Sequence, residues 1–108
     1  MKSLKFKHYL VPLILSGEKD ITWRLFDDKN LQKGDELQLI NKDSNEEFGR
    51  AMIESIREKK MGEMQESDFE GHERFESTQK MFETYKGYYG DEVNFDTIVK
   101  IIKFKLIK

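Results

Sequence analysis

Apolar and polar residues alternate most regularly at the two ends of the chain. Near the C-terminus Ile102, Phe104 and Leu106 alternate with Lys103, Lys105 and Ile107, a period of two that predicts a strand with one buried and one wet face. Leu4 and Phe6 repeat the pattern between Lys5 and Lys7, and both segments are expected in one sheet. Between them, Tyr9 to Ser16 reads as a short helix, with Pro12 tolerated in its first turn and Gly17 just past its end. Asp20 to Phe26 predicts a strand. A Lys33-Gly34-Asp35 turn leads into another at Glu36 to Asn41, and Ser44-Asn45 turns into a third at Phe48 to Arg57. Phe75, Phe82 and Tyr85 fall at helical spacings over residues 75–86, with Gly87 and Gly90 at the exit.

The order is therefore strand, helix, several strands, helix, strand. It lacks the strict βα alternation of a parallel doubly wound sheet, so the expected class is α+β, a small mixed barrel with flanking helices. With 108 residues, no internal repeat and no low-complexity linker, a single domain over residues 1–108 is expected.

Composition narrows the class further. Eight Phe, four Tyr and one Trp argue against a chain disordered throughout, and the absence of Cys excludes disulfides, a thiolate nucleophile and Cys-based zinc sites. The longest apolar run, Tyr9 to Leu15, is far shorter than the roughly 18 to 20 residues of a membrane span. It is broken by Pro12 and followed by no A-x-A site, so a cytoplasmic location and no membrane partner are expected. The net charge of −2 hides segregation: residues 1–8 carry three Lys and no acid, while residues 43–76 carry eleven acids against five bases. Should the two ends pair, their lysines would make a basic face for a polyanion; Lys as a guard on exposed sheet edges is the competing reading.

Phosphate-loop, dinucleotide-fingerprint, zinc-protease and nucleophile-elbow motifs are all missing. No metal or cofactor is expected. His72 sits among Glu70, Glu73 and Glu76, which reads as solvated helix surface in preference to a metal site. The segment that stands out runs from Ser16 to Arg24. A glycine turn, Lys19, Thr22 and Arg24 fall within it, with Thr22 and Arg24 on one strand face and Lys19 on the other unless the chain is still turning there. Lys19 as a turn cation, Thr22 as a plain strand residue and Arg24 as an ion-pair partner of Asp27 or Asp35 are the structural alternatives. Trp23 fits either base stacking or the core. Tyr85, Tyr88 and Tyr89 beside Lys86 fit either stacking or helix-end packing.

Gly17-x-Lys19-x-x-Thr22-x-Arg24, then Gly34-Asp35 opening a strand, Glu70-Gly71 before a helix ending near Tyr85, and a final apolar strand resemble the ASCH domain of the PUA-like superfamily. The resemblance spans nearly the whole chain. It implies a PUA-like β-barrel, a cleft for RNA or a modified nucleoside with no DNA expected, and, as in some bacterial members, hydrolysis of the amide of N4-acetylcytidine. It further implies Lys19 as general base, Thr22 as nucleophile, Arg24 as the cation beside them and Glu70 as proton donor. Asp20 and Trp23 depart from the small or aliphatic residues of those enzymes. A non-catalytic RNA-binding module, or an RNA-cleaving one, would use the same cleft.

The hydrolase reading sets physical conditions. Lys19 acts as a base only when neutral, and lowering its pKa from about 10.4 to about 7.5 requires about 4 kcal/mol of selective destabilisation of the cation. Burial and Arg24 push that way, whereas a carboxylate such as Glu18 or Asp20 paired with Lys19 pushes back. Glu70 has a rival role, since Ser67-x-x-Glu70 has the form of a helix capping box.

Overall fold

The computed structural model describes residues 1–27 and 29–107. Strand β1 (Lys2–Phe6) leads through a 3-10 turn (His8–Leu10) into helix α1 (Val11–Ser16), whose start holds Pro12 and whose end is set by Gly17 at φ 88°. Strand β2 (Ile21–Leu25), β3 (Glu36–Asn41) and β4 (Glu47–Lys60) follow. Two 3-10 turns (Met61–Glu63 and Glu66–Phe69), helix α2 (Thr78–Tyr89) and β5 (Ile98–Ile107) complete the chain.

All five strands form one curled sheet in the order β1-β3-β4-β5-β2, with β1 parallel to β3 and every other pair antiparallel. The two terminal strands thus share a sheet but do not pair, because β3 and β4 lie between them. β4 extends beyond the expected segment at its N-terminal end, where Glu47 pairs with Ile40 of β3, and at its C-terminal end, where β5 continues to pair with it as far as Lys60–Ile98, across an irregularity between Ile53 and Ser55.

Alternation along β5 divides the core in two. Ile102 and Phe104 face a cluster with Leu4, Phe6, Leu37, Leu39 and Ile14 of α1, whereas Val99 and Ile101 face Trp23, Leu25 and the α2 residues Met81 and Tyr85. Ile102, Val99, Leu37 and Leu39 are completely buried, each contributing about 1.5 to 3 kcal/mol relative to exposure. α2 starts later than its periodicity suggests because the Ser77 side chain accepts from the Lys80 amide and fixes the N-terminus there. Phe75 therefore packs from the preceding loop.

The capping box falls elsewhere than expected. Gln65 and Asp68 form it, not Ser67 and Glu70, because the local element is a 3-10 turn with Gln65 as its cap. Asp68 is buried and receives Arg57 and Lys59, each at 2.7 Å, as well as the Gln65 amide. Burial alone would raise its pKa, but these donors hold it at about 2. This cluster fastens the loop to β4.

Candidate functional site

β1 and β2 are the two edges of the sheet, and its curl brings them face to face. Arg24 of β2 donates from Nη2 to the Lys5 carbonyl of β1 at 3.1 Å, and its guanidinium lies 4.9 Å from the Phe6 ring centre. A cavity of about 240 Å³ occupies this seam. Its walls come from β1, β2, the 72–73 loop and the last turns of α2, and it draws Lys19, Thr22, Trp23, Arg24 and Glu73 together.

The Gly17 turn resolves the position of Lys19. Its amide donates to the Leu13 carbonyl, so the residue precedes β2 and escapes strand alternation. The side chain is 4% exposed, and Nζ donates to the Ile21 carbonyl at 2.6 Å and to Glu73 Oε2 at 2.7 Å. Thr22 is buried opposite Ile102 on β5, on the same face as Arg24. Lys19 and Thr22 line the same cavity, but among the described residues the Lys19 ammonium is hydrogen-bonded to Ile21 and Glu73 and not to the Thr22 hydroxyl.

Trp23 points to the other face, yet because β2 is an edge strand it still borders the cavity. It stacks on His72 (4.1 Å between centres, 15°) and on Tyr85 (5.7 Å, 24°), so it is both a core residue and an aromatic wall. Trp23 Nε1 and Arg24 Nε are buried donors without a hydrogen-bond partner among the described residues. Neither atom is accessible to solvent, and Trp23 and Arg24 are successive residues of β2 whose side chains leave opposite faces, so the two donors do not form one site. Arg24 does not take the ion-pair role with Asp27 or Asp35, which instead bind Lys100 and Lys2.

Glu70 lies outside this arrangement. It is exposed, follows the 3-10 turn at Glu66–Phe69, and does not border the cavity. The acid that enters is Glu73. Its loop is anchored where the Gly71 carbonyl accepts from both the Asp20 and Ile21 amides at 3.1 Å, which ties residues 70–73 to the open edge of β2. Gly71 has φ 76°, and a Cβ there would run into the Asp20 carboxylate.

His72 likewise departs from expectation. Residues 70–76 are not helical, and the His72 side chain is 2% exposed. Its Nδ1 donates to the Glu73 carbonyl at 2.8 Å; a carbonyl only accepts, so the network assigns the proton to Nδ1. Nε2 is then free to accept from the Tyr85 hydroxyl at 3.2 Å, and Glu73 Oε2 lies 3.2 Å from the same nitrogen. Burial, reinforced by the Lys19 cation, lowers His72 to about 4, so it is neutral at pH 7. Burial raises the Tyr85 phenol well above its ordinary value, leaving it a donor.

The Lys19–Glu73 pair is where charge is most perturbed. Burial lowers the Lys19 pKa despite the attraction of Glu73, and Arg24 lowers it further. Burial would raise Glu73, but the Lys19 ammonium and His72 hold it below the ordinary carboxylate range. A buried ion pair with one hydrogen bond of 2.7 Å differs from its neutral amine–acid form by a single proton shift. The arrangement thus supplies a hydroxyl, a buried amine paired with a carboxylate, and a guanidinium along one cavity.

The chain is a curled α+β half-barrel with a polar and aromatic cavity at its seam. The fold is that of ASCH domains. The ASCH domain from Lactobacillus crispatus superimposes with a TM-score of 0.71 over 91% of this chain and 70% of that one at 19% identity. The ASCH protein of Zymomonas mobilis gives 0.68 over 98% and 69% at 12% identity. The hypothetical protein PH0355 gives 0.74 over 99% and 100% at 23% identity. No protein-family model and no curated protein sequence matches the chain. Among the described residues no helix is long and apolar enough to cross a membrane.

Proposed function

We propose that the seam cavity hydrolyses the acetyl amide of an N4-acetylated cytidine. The observation that carries this reading is the convergence of Thr22, Lys19 and Glu73 on one cavity beside Arg24. Within the Lys19–Glu73 pair a proton passes from nitrogen to carboxylate, leaving a neutral amine beside a protonated acid. Lys19 then takes the Thr22 proton as the hydroxyl oxygen bonds to the acetyl carbon. The Arg24 guanidinium, which lines the same cavity, favours the oxyanion that forms. Collapse breaks the bond between the acetyl carbon and N4, and Glu73 gives its proton to the departing nitrogen. Cytidine leaves and acetyl-Thr22 remains. Water then attacks the ester, releasing acetate and restoring the threonine.

Glu73 replaces Glu70 as donor because it alone of the two borders the cavity. Glu73 raises the Lys19 pKa and so opposes the base role, while burial and Arg24 lower it, burial being the largest influence. The test is cytidine release from N4-acetylcytidine. Thr22→Val keeps the β-branched shape and is expected to abolish turnover with a normal melting temperature, Thr22→Ser to retain part of it, and Lys19→Met to abolish it. Turnover unchanged in Thr22→Val, or absent from the wild type, refutes the reading.

The cavity is also lined by five cations, among them Lys5, Lys7 and Lys42, against the single carboxylate of Glu73. That excess favours a second reading, an RNA-binding module without turnover. Its signature is affinity for single-stranded RNA that falls steeply with salt.

A further inference from the structure

Edge strands commonly carry lysine as protection against unwanted pairing, and β1 is such an edge. Its lysines are not alike, however. Lys2, at the far end from the cavity, is bound by Asp35 at 2.7 Å and by the Asn30 carbonyl. Lys5 and Lys7, at the cavity end, form no ion pair with a carboxylate among the described residues, although the chain has more acids than bases. Both alternate with the buried Leu4 and Phe6 and are exposed. Lys42, just past the end of β3, joins them because its amide donates to the Phe6 carbonyl at 2.7 Å, and it too is without an ion pair among the described residues. The carboxylate next in sequence, Asp43, is turned to the His8 amide at 2.8 Å. Lys7 lies 4.9 Å from the ring centre of Tyr88, which is 46% exposed.

We propose that Lys5, Lys7 and Lys42 form a phosphate-binding rim to the seam cavity, so that a phosphorylated nucleoside binds there more tightly than the free nucleoside. Lysine ammonium groups suit this role as compact charges that adapt to a phosphate without demanding fixed bidentate geometry. Three of them line one cavity with no carboxylate bound to them among the described residues, an excess of positive charge that attracts a phosphate dianion or diester. The proposal rests on the preceding section only for the identity of the base; the phosphate contact is independent of turnover.

Binding is measured by calorimetry at low salt with cytidine, cytidine 5′-monophosphate, cytidine 3′-monophosphate, inorganic phosphate and a trinucleotide with a central cytidine. At least one phosphorylated ligand is expected to bind about tenfold or more tightly than cytidine, with an advantage that shrinks as salt rises. The Lys5→Gln/Lys7→Gln/Lys42→Gln variant is expected to lose that advantage while holding cytidine as before, and single Lys7→Gln to lose part of it. A trinucleotide tighter than both monophosphates identifies an RNA backbone as the source, and a monophosphate equal to the trinucleotide identifies a free nucleotide. Phosphorylated ligands that bind while the amide is never hydrolysed would retire the hydrolase reading and leave this one standing. Equal affinity for cytidine and every phosphorylated form, an advantage that survives the triple variant, or no binding of any ligand overturns the proposal.

Discussion

Replacing Glu73 by Gln keeps the size of the side chain and an oxygen able to accept from Lys19, but removes the charge that balances a buried ammonium. At the observed 2.7 Å and an effective dielectric of about 20, the lost attraction is roughly 6 kcal/mol before the cost of dehydrating either group is subtracted. Lys19 is 4% exposed and Glu73 28%, so the expected net loss is near the lower end for a broken buried pair, about 3 kcal/mol, if Lys19 stays charged. Lys19 has an alternative, which is to give up its proton. In the wild type burial already lowers its pKa against the pull of Glu73. Without that pull, burial and Arg24 lower it further. A lysine depressed in the folded state binds fewer protons than in the unfolded chain, so stability rises with pH between the depressed value and about 10.4. The stability deficit of Glu73→Gln relative to wild type is therefore largest around neutral pH; it fades toward pH 10, and it fades again at acid pH as the wild-type Glu73 is protonated through its depressed pKa. Thermal melts across that range, with NMR titration of the Lys19 side chain, check both parts. Turnover of N4-acetylcytidine is expected to fall about 100- to 1000-fold because the proton donor is gone although the base is freer. A deficit that does not vary with pH, or a Lys19 pKa equal to that of the wild type, would show that the two groups are not coupled as described.

Asp68→Asn is expected to cost about 2 kcal/mol at neutral pH, from a carboxyl held at about 2 against an ordinary 3.8. Because that pKa is depressed, the stabilisation is complete above about pH 4 and disappears as pH falls through about 2, so urea titrations of variant and wild type converge over that window. Gly71→Ala places a Cβ against Asp20 at φ 76°, and is expected to cost more than about 1 kcal/mol and to displace the loop that carries Glu73. Melting and turnover are expected to fall together in that variant; normal turnover would mean that the loop tolerates a different path.

The short-range features of this molecule were legible in the chain because they depend on neighbours a few residues apart. Period-two alternation marked β1 and β5, Gly17 marked the end of α1, and Lys19, Thr22 and Arg24 lay close enough together to be noticed as a group. Their convergence was still a matter of tertiary structure, since strand parity alone sends Lys19 away from Thr22, and only the bond from its amide to Leu13 keeps it in the turn. Glu73 and His72 could not be singled out from the acidic stretch around them. They reach Lys19 across 54 residues of sequence, through the Gly71 carbonyl seated on the edge of β2, and no local periodicity marks such a contact. Trp23 was ambiguous for a related reason, because an edge strand allows one side chain to serve core and cavity at once. The seam itself was the least visible feature. It exists because curling brings β1 and β2 together with three strands between them in the sheet, and the free energy that selects this closure is spread over both cores and belongs to no single segment.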